Sequence, residues 1–240
     1  MSDSIVIIPT YNEIENIELI IRAVFSLDKS FDILVVDDNS PDLTHLKVKE
    51  LQNEFNNLFL EVRTGKSGLG RAYIHGFKWS LEHNYDYVFE MDADFSHNPK
   101  DLIRLYNTCH IEGADMAIGS RYIKGVNVVN WPLSRVLLSY LASIYVRVIT
   151  GMKVQDTTAG FICYKRRVLE SMDLDKIKFI GYAFQIEMKF RAFKNKFKII
   201  EIPVIFTDRT RGESKLSNGI ISEAVFGVIK MKINSIFKKH

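Results

Sequence analysis

Asp92 and Asp94 stand one residue apart directly after the apolar run Tyr87-Val88-Phe89-Glu90-Met91. Side chains alternate along extended backbone, so the two carboxylates point to the same side. Converging carboxylates make a hard-oxygen site suited to Mg2+ or Mn2+ carrying a diphosphate, because such a cation keeps open positions for phosphate oxygens and offsets their charge. The same residues also suit a solvated turn ahead of a helix expected to start near Pro99, and by themselves they leave both readings open. A calcium loop is excluded: counted from Asp92, its required glycine falls on His97 and its required glutamate on Ile103.

Other polar groups follow other apolar runs. Asp37 and Asp38 close the run Ile33 to Val36, and as neighbours they point in different directions, so one can face a ligand while the other holds the loop. After Ile5 to Ile8 comes Pro9-Thr10-Tyr11-Asn12-Glu13, where the proline is expected to halt a strand and Tyr11 offers a flat face for stacking. Two phosphate-loop lookalikes fail: Gly65-Lys66-Ser67 lacks its first glycine, since position 60 is leucine, and Gly68-Leu69-Gly70 lacks its third, since position 73 is tyrosine. These glycines are read as backbone freedom beside a ligand. The histidines show no metal-ligand spacing and read as surface or satisfied core residues. Arginines stand out at Arg121, at Arg135 inside an apolar stretch, and in Arg209-Thr210-Arg211-Gly212-Glu213-Ser214-Lys215. A guanidinium fork matches phosphate oxygens, and one among Leu and Val needs an anionic partner, although a surface salt bridge competes at each.

The elements that must position these residues are legible in the pattern. Ile5–Ile8, Ile33–Asp37, Leu58–Val62, Tyr87–Met91 and Met116–Ser120 read as strands, with helical patterns between them. Strand and helix in alternation predict a mainly parallel sheet, whose ligands bind beyond the carboxyl ends of the strands. The second half breaks that rhythm, with helices over Trp131–Gly151, Tyr182–Phe193 and Leu216–Phe237 and strands over Gly160–Tyr164 and Phe197–Phe206. Lys+Arg 32 against Asp+Glu 29 leaves a net charge of +3, too mild to announce a nucleic-acid binder. Cys109 and Cys163 have no ligand spacing and read as reduced thiols of a cytosolic protein. No secretory leader is expected at the N-terminus. The uncharged run Val136–Val146 is eleven residues, against the about 20 a spanning helix needs, so no membrane span is expected.

Taken in order, IVIIPTYNE (5–13), VVDDNSPD (35–42), EMDADFSHNP (90–99), GSRY (119–122), DTTAGF (156–161), GYAFQIEM (181–188) and DRTRGESK (208–215) resemble the dolichol-phosphate mannose synthases, or polyprenol-monophosphate mannosyltransferases, of the family-two glycosyltransferases. The resemblance covers roughly residues 4 to 218. It implies a GT-A (Rossmann-like) α/β fold and an inverting transfer of mannose from GDP-mannose to a polyprenyl phosphate, with Mg2+ or Mn2+ at Asp92 and Asp94. Carried over, it places Pro9, Tyr11, Glu13, Val36, Asp38, Asp92, Ala93, Asp94, Arg121, Arg209 and Lys215 at donor-binding positions. Arg135 and Ser139 fall at acceptor-phosphate positions, and Asp92, Asp94, Arg121 and Arg135 are the catalytic set. Ser96 stands where some members use Gln, and Leu43 where the family turn has Gly.

The implied division is a catalytic domain over 1–215 and an amphipathic C-terminal helix over 216–240, either on a membrane surface or docked on the core. Apolar residues from Leu216 onward, with Lys230, Lys232, Lys238 and Lys239 crowding the end, favour the membrane surface. The expected location is the cytoplasmic face of a membrane, reached peripherally or through a membrane-anchoring partner subunit. A related enzyme using UDP-glucose or a sugar acceptor, and a non-catalytic scaffold on the same fold, are the competing readings.

Overall fold

A computed structural model describes residues 2–209 and 219–237. Seven strands form one sheet: β1 (Ser4–Thr10), β2 (Asp32–Asp37), β3 (Leu58–Val62), β4 (Tyr87–Glu90), β5 (Met116–Ser120), β7 (Ile162–Lys165) and β8 (Ile199–Pro203). β6 (Val128–Val129) and β9 (Phe206–Thr207) pair separately as a short parallel ribbon. The large sheet runs β3-β2-β1-β4-β7-β5-β8, parallel except for β7, which is antiparallel to both β4 and β5.

Unbroken apolar runs such as Ile5–Ile8 suit this sheet because both of its faces are covered. Val6 and Ile8 face a layer of α1 (Ile17–Phe25), α2 (Thr44–Leu51) and α4 (Asp101–His110), where they meet Ile20, Val48 and Leu105. Ile5 and Ile7 point the other way, to Tyr73 and Phe77 of α3 (Leu69–Glu82) and Phe184 and Met188 of α7 (Tyr182–Lys194). α6 (Arg166–Glu170) adds Val168 and Leu169 to that second layer. The expected mainly parallel α/β sheet is the one observed. Cys109 and Cys163 are buried free thiols within it.

α5 (Leu133–Thr150) and α8 (Gly219–Phe237) stand outside the sandwich. Val146 of α5 and Val228 of α8 share a small core with Ile186 and Phe190 of α7. The Tyr145 hydroxyl donates to the Val225 carbonyl at 2.9 Å, and Lys232 Nζ donates to the Thr150 carbonyl at 3.0 Å. α8 is therefore docked through one face, while Val225, Phe226, Ile229 and Ile233 remain exposed on it.

The structure corrects several expectations. Pro9 does not halt its strand, because β1 pairs with β4 only as far as Ile7 and continues beside β2 to Thr10. The Ile7 carbonyl faces β4, accepting from Met91 N, so Pro9 turns its absent N–H to the side where β4 has already ended. The strand expected over Phe197–Phe206 is split between β8 and β9. Gly70 is a packing glycine rather than a ligand-side one: a Cβ there would lie 2.8 Å from the Phe184 ring. α5, at 18 residues, is long and apolar enough by length and composition to cross a membrane, which the eleven-residue run did not anticipate because it stops at Arg135 and Arg147, and the helix carries both.

Candidate active site

The turn after β4 is built by hydrogen bonds that span very few residues. Asp94 Oδ1 accepts from Ser96 N at 3.1 Å, and the Asp92 N–H donates to His97 Nδ1, also at 3.1 Å. Burial drives the His97 imidazole down to about 4, so it stays neutral and keeps that acceptor lone pair. Its ring stacks on Phe161 at 4.7 Å, which anchors the turn to the sheet. Burial, followed by the charges of Asp94 and Glu90, pushes the Asp92 carboxyl up to about 7. Arg209 brings an opposing positive charge, with Nη2 2.9 Å from Asp94 Oδ2.

The donor set fits a divalent cation. Beside the two carboxylates, Ser96 is buried and its Oγ has no hydrogen-bond partner among the described residues. A third oxygen thus stands where the resemblance left the ligand open. Two carboxylates and a hydroxyl leave most of an octahedral shell to ligand oxygens, the arrangement that suits Mg2+ or Mn2+ bound with a diphosphate.

A buried polar layer underlies the turn. Glu90 accepts from the Tyr164 hydroxyl at 2.8 Å and from Gln185 Nε2, and burial pushes its carboxyl up to about 7. Lys189, fully buried, donates to the Ala159 carbonyl at 2.6 Å, and burial brings its ammonium down to about 8.

The arginines come from farther along the chain. Arg121, at the end of β5, forms a fork on Asp156 at 2.7 and 2.6 Å and donates to Thr158 Oγ1 at 2.7 Å. Burial alone would raise the Asp156 carboxyl, but the charge and hydrogen bonds of Arg121 outweigh it and hold the group below the usual carboxylate range. Arg135, in the first turn of α5, pairs with Asp208 at 2.8 Å, so the anionic partner its apolar setting demanded is present. Ser139 lies four residues on, on the same helix face.

Asp92, Asp94, Arg121, Arg135, Ser139 and Arg209 all line one cavity of about 380 Å3, whose rim includes the exposed side chains of Leu138, Leu141 and Val225. Of the remaining donor-site expectations, Pro9, Tyr11, Glu13, Val36 and Asp38 sit outside that lining, in or just beyond the ends of β1 and β2, and Ala93 lies between Asp92 and Asp94 in the turn after β4. Asp37 holds the loop, accepting from Thr10 Oγ1 at 2.7 Å and Ser40 Oγ at 2.6 Å, while Asp38 faces Arg63 at 3.3 Å and Ser67 N at 3.3 Å. Lys66 Nζ lies 4.7 Å from the centre of the Tyr11 ring. Glu13 is buried and accepts from Asn16. Val36 and Ala93 are core residues, which leaves them only main-chain groups to offer, and Pro9 pairs with Val36 from strand β1. Lys215 lies outside the described residues, as do Leu216, Lys238 and Lys239.

Sequence reasoning missed His97, Asp156, Gln185, Asp208 and Trp131 as parts of this cavity's wall and supports. Four of them lie in motifs that carried the resemblance, at His97, Asp156, Gln185 and Asp208, yet the partners of the last three are distant in sequence. The histidines read as surface or satisfied core residues, and His97 is buried and satisfied by the main chain of the acidic turn.

A family profile described as "Glycosyl transferase family 2" matches residues 5–173. The polyprenol monophosphomannose synthase of Mycolicibacterium smegmatis is 46% identical over 231 residues, covering 96% of this chain and 87% of that protein. The undecaprenyl-phosphate mannosyltransferase of Micrococcus luteus is 44% identical over 224 residues, covering 93% and 91%. Among solved structures, a mannosyltransferase from Pyrobaculum calidifontis in complex with GDP-Man and Mn2+ superposes with a TM-score of 0.62 at 17% identity, over 99% of this chain and 65% of that one. At that identity the superposition establishes the fold.

Proposed function

The chain belongs to glycosyl transferase family 2, and on that premise we propose that it moves mannose from GDP-mannose to a polyprenyl phosphate, with inversion at the sugar carbon, giving polyprenyl phosphate mannose and GDP. The observation that carries this reading is a single cavity whose lining holds both the Asp92 and Asp94 turn and the Arg121 and Arg135 pair, with an apolar rim beside them. Asp92 and Asp94, with Ser96, would hold Mg2+ or Mn2+, which when bound supplies charge to the departing diphosphate. Tyr11, Glu13 and Asp38, with the main chain at Pro9, Val36 and Ala93, would bind the rest of the donor, while Arg209 would add positive charge near its phosphates, the role the resemblance also implies for Lys215.

Arg135 and Ser139 would receive the acceptor phosphate. A phosphate oxygen is already anionic at neutral pH, so the new bond to the sugar carbon forms as the bond to GDP breaks, without a general base. His97 would be an unsuitable base in any case, since its Nδ1 is occupied by the Asp92 N–H. What remains for the chain to supply is in-line positioning and charge compensation. Donor identity is tested by offering GDP-mannose and UDP-glucose with one prenyl phosphate and weighing the lipid product. The proposal expects the mannosyl product; a glucosyl product, or transfer to a free sugar in preference, would replace it with the competing family-two reading.

The rim also supports a location. Leu133, Leu137, Leu138 and Leu141 of α5 and Phe226, Ile229 and Ile233 of α8 are exposed apolar side chains on two packed helices, and Leu138 and Leu141 border the cavity itself. We infer that residues 1–215 are the catalytic unit and that α5 and the helix within 216–240 rest on a bilayer surface, at the cytoplasmic face, where the lipid's phosphate can enter. Lys230 would add roughly 1 kcal/mol near an anionic leaflet. Core docking of α8 and surface contact are compatible, because they use different faces. No membrane-anchoring partner subunit is needed for this arrangement. In vesicle co-sedimentation, Leu137→Gln combined with Phe226→Gln should weaken binding about tenfold or more, since each apolar side chain contributes of order 1–2 kcal/mol on insertion. Unchanged binding would remove this face from the proposal.

A further inference from the structure

We propose that Trp131 binds the acceptor phosphate, its indole N–H donating to a phosphate oxygen while its ring holds Arg121 and Arg135 together around that group; the inference rests on the reading of the cavity as a prenyl-phosphate site. Trp131 lines the cavity and directly precedes Pro132, where α5 begins. The guanidinium carbon of Arg135 lies 4.1 Å from the centre of its ring and that of Arg121 5.3 Å. Phe206 meets the same ring edge-on at 5.2 Å and 71°, which fixes its orientation.

Two guanidiniums gathered at one aromatic ring repel each other. The ring's quadrupole attracts both without using any of their N–H groups. Asp156 takes one fork and Asp208 an N–H of the other. The indole nitrogen is different: Nε1 is buried and has no hydrogen-bond partner among the described residues. It is a donor only, and the arginines beside it are donors too, so neither can satisfy it. An oxygen brought by a ligand is what this N–H lacks, and a neutral donor on a ring that holds two cationic ones matches a phosphate, which presents several acceptor oxygens at once.

The chain has two tryptophans, Trp79 and Trp131, so its indole 15N–1H spectrum carries two resonances and a Trp79→Phe variant assigns them. Trp79 packs on Phe59 and His83, away from the cavity lining, and serves as the internal control. Titrating farnesyl phosphate into the full chain should shift the Trp131 resonance and leave that of Trp79 in place. Farnesol, which lacks the phosphate, and GDP with Mg2+, which carries phosphate to the donor side, should leave both in place. A Trp131→Phe variant, which keeps a ring and loses the donor, should raise KM for farnesyl phosphate about tenfold with KM for GDP-mannose unchanged. A Trp131 resonance unmoved by farnesyl phosphate at concentrations that support transfer overturns the inference. So does a shift caused by GDP alone, or an unchanged acceptor KM in Trp131→Phe. Failure of the wild-type chain to transfer mannose to farnesyl phosphate at all would instead count against the proposed function.

Discussion

The two walls of the cavity are assembled in opposite ways. The acidic turn is tied to itself: Ser96 bonds Asp94 two residues back, and His97 bonds Asp92 five residues back. The arginine wall is tied across the fold, with Arg121 and Asp156 separated by 35 residues and Arg135 and Asp208 by 73. Asp208 and Arg209 join the walls, since one pairs with Arg135 and its neighbour with Asp94. The hydrogen bonds that shape the acidic turn are local, whereas the arginine side takes its partners from the second half of the chain.

If the acidic wall carries the leaving group's charge, its loss should be the costliest change. Asp94→Asn is expected to keep the fold and lower turnover about 100-fold or more, because a charge acting mainly on the transition state is removed. Wild-type turnover at saturating Mn2+ would break the assignment. On the other wall, Arg135→Ala should raise KM for the lipid phosphate about 10- to 100-fold, the range for a charge-assisted hydrogen bond, with KM for GDP-mannose within about twofold. A collapse of donor affinity instead would mean the two phosphate sites are interchanged.

These contrasts explain what the sequence made legible. The spacing of Asp92 and Asp94 after an apolar run, and the alternation of strands and helices, express local rules that survive folding. β7, by contrast, inserts antiparallel between β4 and β5, and nothing in Ile162–Lys165 announces that neighbourhood. The partners of Arg121 and Arg135 were invisible for the same reason: an aspartate 35 or 73 residues away carries no local mark of the contact. Trp131 read as the start of an apolar helix, and only packing placed both guanidiniums at its ring.

Lys189 lies behind both walls, faced by Glu90 from the acidic side and by Asp156, Arg121 and Glu201 from the other. Its ammonium loses its proton near pH 8 in the folded chain and near 10.5 when unfolded. Between those values the unfolded state binds more protons, so stability rises with pH. Comparing urea midpoints at pH 7.5 and 9.5, the wild type should gain about 1–2 kcal/mol relative to Lys189→Met. Parallel behaviour of the two proteins would contradict a buried, strained ammonium.

The smallest effect concerns the turn after β2. Leu43 sits at φ 66°, a left-handed conformation that glycine adopts without strain. Leu43→Gly should stabilise the chain by about 0.5–1 kcal/mol, a rise in Tm of roughly 1–4 °C, after the entropy glycine adds to the unfolded chain is subtracted. A lower Tm would show that Leu43 contributes more by contact than it costs by strain.

The account stands or falls on whether both walls serve one reaction, which radiolabelled mannose decides. With GDP-mannose and Mn2+, label should pass into an organic extract when farnesyl phosphate is present, and not with farnesol; Asp94→Asn should abolish that transfer even at saturating farnesyl phosphate, whereas excess farnesyl phosphate should restore it in Arg135→Ala. Label moving equally well to farnesol, or staying in water with every prenyl phosphate offered, would contradict it.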